Sequence, residues 1–387
     1  MDSSASDCLK QIDELLAISH QSWLFGAGIS FSAGIPLIDS LTKRIYAVAD
    51  SPVKTLFDAI KTELSSEAHI EHILSHLGDY IAIAERGKDK AVKIGSGQFN
   101  LSDMNDAHDK ILKLISETIR WGYKPAKDGA SETAGEKGKS IVTIDVHQSF
   151  INALFHRNQA GIAERRGAVN LFTTNYDTLL EDALALCCCS YWDGFSGGAV
   201  AYRNYRYGAK EPDENFRAHI VKLHGSIDWY LGEEDRILRV RSGDLYPEKA
   251  GRVLIYPQAT KYLATQRDPF AANFDLFRRT LNKKAENVLS ICGYSFGDEH
   301  INQEIEFAMR SSENKSTVLA FSKGLNNKLN EWRKSPWGKR LYIISEKGLY
   351  VGDQGPYCSP TDDMAYNWWT FEGVTKILNC GAEGCVL

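Results

Sequence analysis

The sequence predicts an α/β protein built on an open, mostly parallel sheet flanked by helices. Two observations carry this. Short apolar, strand-like runs recur along the chain at Trp23–Phe25, Val169–Phe172, Ile220–Leu223 and Val288–Cys292, with segments of helical period between them. Each run ends in a polar tip, three of the four containing glycine: Gly26-Ala27-Gly28-Ile29-Ser30, Thr173-Thr174-Asn175-Tyr176-Asp177, Lys222-Leu223-His224-Gly225-Ser226 and Gly293-Tyr294-Ser295-Phe296-Gly297-Asp298. Ligands of open parallel sheets bind beyond the carboxyl ends of the strands. The four tips are therefore expected to converge on one site.

Taken in order, Leu9, Ile12, Leu15, Leu16 and Ile18 give an amphipathic helix over 7–19, capped by Ser6 or Asp7. The strand Trp23–Phe25 enters the first glycine loop, and a helix follows Pro36 through Leu41, Ile45 and Val48. Helical segments are expected at 53–64, 67–85, 103–121 and 145–158. Two polar breaks, 86–100 and 122–140, interrupt them, and the second is expected to be mobile surface. Alternation of strand and helix resumes at Val169, with a helix over 177–186 and an aromatic, glycine-rich stretch over 190–217. Leu254–Tyr256 and Thr317–Phe321 read as further strands, and Leu341–Ile344 as an edge strand. The tail, with Trp368 and Trp369, shows no clear period, and suits either docking a partner or covering the sheet. This divides the chain into a Rossmann-like core at 1–50 and 165–350, an inserted helical module at 51–164 and a C-terminal tail at 351–387.

A chain of 387 residues with 43% hydrophobic and 25% charged residues has the composition of an ordinary globular protein of one or two domains. Its net charge of -5 gives no reason to expect direct nucleic-acid binding. No stretch approaches the roughly 20 apolar residues that span a bilayer. Met1–Asp7 is polar and acidic, unlike a signal peptide, so a cytoplasmic location is expected. The eight cysteines form no C-x-x-C pair, which argues against structural zinc. Cys187, Cys188 and Cys189 end an apolar helix and are expected to be buried as small hydrophobes. His69, His72 and His76 share a helical face at metal-binding spacing, but a solvated helix fits them as well, and no metal is expected.

Gly26 and Gly28 suit a tight turn whose backbone N–H groups approach a phosphate, with Ser30 adding a hydroxyl. The dehydrogenase pattern G-x-G-x-x-G fails because Phe31 occupies the third glycine position. A plain tight turn explains the loop equally well. Gly34-Ile35-Pro36 raises the specificity. The order G-A-G-x-S-x-x-x-G-I-P, then Thr-x-Asn-x-Asp, Lys-Leu-His-Gly-Ser and Gly-Tyr-Ser, resembles the sirtuins over roughly 20–50 and 165–325. The chain departs from sirtuin deacylases in reading Leu37-Ile38-Asp39 after Pro36 and in lacking paired zinc cysteines. It looks like the divergent sirtuin-like group of bacterial antiphage proteins that hydrolyse NAD. Asp193-Gly194-Phe195-Ser196-Gly197, Leu254-Ile255-Tyr256-Pro257 and Lys261-Tyr262 are most similar to the stand-alone member that partners a HerA-type hexameric ATPase.

That resemblance implies NAD as substrate, no metal and a HerA-type ATPase partner, while large apolar helical faces in the insertion suit subunit contacts and a homo-oligomer is expected. It makes His224 the catalytic base; a neutral imidazole can take a proton from water or a ribose hydroxyl. Asn175 is implied to hold the nicotinamide ribose and orient the water. Asp177 either bonds a ribose hydroxyl or the carboxamide, or caps the following helix, or both. The implied NAD-contacting set is Gly26, Ala27, Gly28, Ser30, Ile35, Pro36, Thr174, Gly225, Ser226, Gly293, Ser295, Asp298 and Asn302. For Asp298 and Asn302 a capped helix near Glu299 competes with adenine-ribose binding, and His300 receives no role. Three functions stay open at this point: an NAD glycohydrolase releasing nicotinamide and ADP-ribose, an NAD-dependent protein deacylase, and a non-catalytic NAD or ADP-ribose sensor that scaffolds an ATPase.

Overall fold

The computed structural model describes residues 3–126, 130–157, 167–210, 212, 215–232, 234, 236–241, 252–255, 268–283, 286–360 and 365–385. The expected motif residues Tyr256, Pro257, Lys261 and Tyr262 lie outside them. In chain order the first elements are α1 (Ser3–Ala17), β1 (Gln21–Phe25), α2 (Ile38–Val48), α3 (Ser51–Lys61), α4 (Ile70–Arg86), the hairpin β2 (Ala91–Ile94) and β3 (Gly97–Asn100), and α5 (Leu101–Trp121). The short pair β4 (Tyr123–Lys124) and β5 (Thr133–Ala134) precedes α6 (Asp145–Arg157), β6 (Val169–Thr173) and α7 (Leu179–Leu186). Then come β7 (Tyr191–Trp192), β8 (Phe195–Gly197), β9 (Val200–Arg203), β10 (Ala218–Lys222), β11 (Gly225–Leu231), β12 (Ile237–Val240) and β13 (Arg252–Ile255). The last third holds α8 (Phe270–Leu281), β14 (Val288–Cys292), α9 (Glu299–Arg310), β15 (Thr317–Phe321), α10 (Asn327–Arg333), β16 (Leu341–Ser345), β17 (Gly348–Val351), β18 (Gln354–Tyr357) and α11 (Phe371–Cys380).

The architecture is α/β, with a nine-stranded sheet in the order β18-β17-β16-β15-β14-β1-β6-β10-β7. All pairs from β7 to β16 are parallel, and β17 and β18 add an antiparallel edge. The chain runs outward from β1 through β6 and β10, then returns to place β14 on the other side of β1. The boundary between β1 and β14 is thus a topological switch point, where such sheets open a crevice. Register aligns the strand ends: Phe25 pairs with both Cys292 and Thr173, Thr173 with Lys222, and Cys292 with Phe321. The four expected tips therefore leave the sheet along one line.

Both faces of the sheet are buried, which is why its central strands are apolar without alternation. On one face Trp23 stacks between Phe25 and Phe321 and meets the edge of Phe150 from α6. On the other face Leu24, Phe172 and Ile291 pack with Phe274, Phe277, Ile301 and Trp332. A separate core joins α2, α3, α4 and α5 through Leu41, Ile45, Phe57, Ile73, Leu77 and Ile111. Asp50 caps α3 at the Val53 amide (3.0 Å), and Asn100 caps α5 at the Asp103 amide (2.8 Å).

Packing assigns some segments differently from their period. α6 falls within the expected module, yet Phe150, Ile151 and Leu154 pack against β1 and α11. α2 falls within the expected core, yet its apolar face joins the module. The tail is not loose: Trp368, Phe371, Val374 and Ile377 are buried in the main core. β16 is not an edge, because β17 and β18 extend the sheet beyond it. The first polar break folds as the β2–β3 hairpin. The described part of the second is tied down, with the Tyr123 amide donating to Gly34 (2.9 Å) and the Gly135 amide to Gly122 (2.9 Å). The stretch 190–217 contributes β7 to the large sheet and β8 and β9 to a five-stranded sheet, β13-β11-β12-β9-β8. Burial of the cysteine triplet was overestimated: Cys188 is exposed, with φ 55°, and its neighbours are half-buried. α7 ends at Leu186, so the triplet lies past the helix, where Cys187 and Cys189 still pack against the main core and Cys188 turns outward.

Candidate active site

A cavity of about 820 Å³ opens at the carboxyl ends of β1, β6, β10 and β14. Its wall includes Gly26, Ala27, Gly28, Ser30, Ile35, Pro36, Thr174, Asn175, Asp177, His224, Gly293, Ser295 and Asp298. Sixteen candidates came from the sequence, and these are the ones brought together. Gly225, Ser226 and Asn302 are not on the wall. Gly225 takes φ +89°, the left-handed turn that reverses the chain from β10 into β11. Ser226 is fully buried and donates to Asp228 (2.6 Å). Asn302 is also fully buried, donating to the Phe296 carbonyl (2.8 Å) and accepting from the Tyr294 hydroxyl (3.3 Å). It braces the loop after β14.

The glycine loop acts differently from the expectation of free phosphate-binding amides. The Gly26 amide donates to Cys292 (3.1 Å) and the Gly28 amide to Gly293 (2.9 Å). A Cβ on Gly26 would lie 2.5 Å from the Gly293 oxygen, and one on Gly28 2.7 Å from the Gly293 Cα. These glycines let two backbone loops touch across the switch point, and their N–H groups are consumed in doing so.

A hydrogen-bonded relay fixes the centre of the site. The Ser30 hydroxyl donates to Asp177 Oδ2 (2.8 Å), and Asn175 Nδ2 donates to Ser30 Oγ (3.1 Å). An ionised carboxylate only accepts, so the serine proton must go to Asp177 and the amide NH2 must face the serine. That leaves Asn175 Oδ1 buried without a partner, on a residue of the cavity wall. A buried acceptor in this state costs about 1–3 kcal/mol unless a ligand or water donates to it. Asp177 also accepts from the Leu179 amide through Oδ1 (3.0 Å), so it both caps α7 and lines the site. Below it, buried Lys222 donates to the Asp177 carbonyl and to Glu181 (3.2 Å). Burial raises the Glu181 pKa, against the opposing pull of Lys222.

His224 is 3% exposed, and its Nε2 lies 3.9 Å from Asp298 Oδ1. The Asp298 side chain does not cap α9, although the residue occupies the cap position. Its carboxylate faces the imidazole, and the Tyr294 hydroxyl donates to its carbonyl (3.2 Å).

The module supplies a wall that sequence reasoning missed. Glu67, His69, Glu71 and His72 reach the cavity from the start of α4. Tyr176 donates to Glu71 (2.6 Å), bridging module and core; burial and then Glu71 hold the phenol pKa well above its usual value. The His69 and His72 rings meet, 3.9 Å between centroids, and His72 accepts from the His69 amide (3.3 Å), while His76 pairs with Glu63 (2.9 Å). Ser322, Lys323 and Trp369 complete the opposite side. No local motif marks these residues, because they arrive through tertiary packing. With Asp39, Glu67, Glu71, Asp177 and Asp298 on its wall, the cavity favours a substrate centre that becomes positive.

Residues 169–337 match the family model of the SIR2-like domain. The match takes in β6, β10, β14 and β15 with Asn175, Asp177, His224 and Asp298, while β1 and its glycine loop lie before it. No curated protein matches the chain. The solved structure of Sir2Tm bound to a propionylated peptide aligns over 98% of this chain and 99% of that chain, with 12% identity and a TM-score of 0.35. Among the described residues no helix is long and apolar enough to cross a membrane.

Proposed function

We propose that this chain is an NAD hydrolase, releasing nicotinamide and ADP-ribose. One observation carries the reading: Asn175 and His224 line a single cavity at the switch point, with Asn175 Oδ1 held buried and unpartnered. The SIR2-like match supports NAD as the substrate, since sirtuin-like domains use NAD. The cavity volume falls within the range of small-molecule sites, about 300–1,000 Å³.

Cleavage breaks the bond between the nicotinamide nitrogen and ribose C1′. The electron pair leaves with neutral nicotinamide, and the ribose passes through an oxocarbenium-like transition state. Asn175 Oδ1 accepts from a ribose hydroxyl or from the attacking water. His224 takes the proton of that water as the C1′–O bond forms, a step worth about 10²–10⁴-fold. Asp298, 3.9 Å from Nε2, stabilises the imidazolium. Ser30 and Asp177 hold the Asn175 amide in its working orientation.

The test is nicotinamide release from NAD, with and without an acetylated peptide. Release without peptide supports hydrolysis, whereas dependence on peptide indicates a deacylase. Binding of NAD with no release in any assembly state indicates a sensor. His224→Ala is expected to abolish release while the far-UV spectrum and melting profile stay unchanged; normal turnover by this variant removes His224 as the base.

Antiphage defence by NAD depletion and control by a HerA-type ATPase are proposed on the motif resemblance alone. A homo-oligomeric state is proposed from the apolar helical faces of the insertion, a cytoplasmic location from composition, and the division into a core at 1–50 and 165–350, a module at 51–164 and a tail from periodicity. Mass photometry of the chain alone and mixed with such an ATPase tests the assembly.

A further inference from the structure

His300 received no role from its motif, yet it lies beside the proposed base. We infer that His224, Asp298 and His300 form a binding site for a divalent transition metal, with Zn²⁺ as the representative ion. The ligand atoms of the three side chains all lie within 4.8 Å of one another. The His224 and His300 rings are 5.7 Å apart between centroids, tilted by 36°.

The placement is rigid. His224 sits on the left-handed turn between β10 and β11, while Asp298 and His300 begin α9 two residues apart. The Asp298 carbonyl accepts from the Asn302 amide (3.0 Å) and the Tyr294 hydroxyl, which fixes that end of the site. His300 is half-buried against Phe274, with 5.3 Å between ring centroids. Tetrahedral zinc at about 2.0–2.2 Å from each donor needs donors roughly 3.4 Å apart. Binding must draw the 3.9 Å between His224 Nε2 and Asp298 Oδ1, and the remaining donor pairs within their 4.8 Å bound, in to that value.

The donor set selects the ion. Two imidazoles and one carboxylate suit zinc and its first-row neighbours, whereas magnesium and calcium prefer all-oxygen sites. Three protein donors leave a fourth position, and His224 and Asp298 present it to the cavity. An ion there occupies the lone pair of His224 that takes the proton. Bound zinc therefore inhibits nicotinamide release, a consequence that rests on the proposed hydrolase reading, whereas the binding itself does not.

The experiment uses metal-free, full-length protein with its thiols alkylated, since all eight cysteines are free. Equilibrium dialysis against zinc sulfate, read by elemental analysis, is expected to give one tightly held equivalent. His300→Ala and the milder His300→Gln are each expected to weaken binding at least ~10-fold, because they remove a direct ligand, where loss of an outer-shell partner alone costs 10–100-fold. In the release assay these variants are expected to turn over NAD without zinc and to resist inhibition by it. Failure of the wild-type chain to retain zinc, or equal retention by both variants, overturns the site. Zinc binding that depends on His300 in a chain releasing no nicotinamide leaves the site standing and removes the hydrolase reading.

Discussion

Ser30→Ala probes the relay at the centre of the site. Ser30, Asn175 and Asp177 are 1%, 8% and 8% exposed, so water does not readily replace the lost hydroxyl. The substitution deletes one hydrogen bond to a charged carboxylate, worth about 1.5–3 kcal/mol, and one between neutral groups, worth about 0.5–1.5 kcal/mol. The sum is about 2–4 kcal/mol. In a chain of this length each kcal/mol lowers Tm by at most roughly 2–4 °C, which gives a fall of up to about 4–16 °C. The Asn175 amide also loses the contact that sets its orientation, so nicotinamide release at saturating NAD is expected to fall at least ~10-fold. Thermal melts and single-turnover release on the same preparation read the two effects. A variant melting within about 1 °C of wild type, with unchanged release, refutes the relay.

Lys222→Met leaves Glu181 buried without its cation and is expected to destabilise the fold by about 3–5 kcal/mol in urea unfolding. Gly293→Ala places a Cβ 2.5 Å from the Ile29 nitrogen at φ +65°, so a loss of about 1–3 kcal/mol or more, or insoluble expression, is expected. The hydrogen bond from Tyr80, then His76 and the Gly95 amide, holds the Glu63 carboxyl at about 2. Because folding lowers this pKa from 4.5, the ionised group favours the fold above that pH, and the contribution fades as pH falls toward 2. Melts of Glu63→Gln should therefore trail wild type at pH 7 and converge with it as pH is lowered through that window; a constant gap contradicts the assignment.

Sequence determined much by itself. Apolar runs without alternation marked strands covered on both faces, and their polar endings marked where a ligand meets a parallel sheet. The residue types at those endings, an amide at position 175 and an imidazole at position 224, are the ones the proposed chemistry uses. These are local facts: strand burial sets composition residue by residue, and a turn with φ > 0 favours glycine, although Cys188 and Phe296 also adopt it.

Tertiary structure decided what depends on which surfaces meet. The period of α6 shows that one face is apolar, but Phe150 finds Trp23 and Phe371 only when the sheet and α11 are present. Gly26 and Gly28 read as phosphate donors until β14 arrives and Gly293 takes an amide from one of them. The wall from Glu71 and Tyr176, and the approach of Asp298 and His300 to His224, join residues 105, 74 and 76 positions apart in the chain. A side chain's partner is fixed by the fold's register and packing, and a linear pattern records only the side chain's own character.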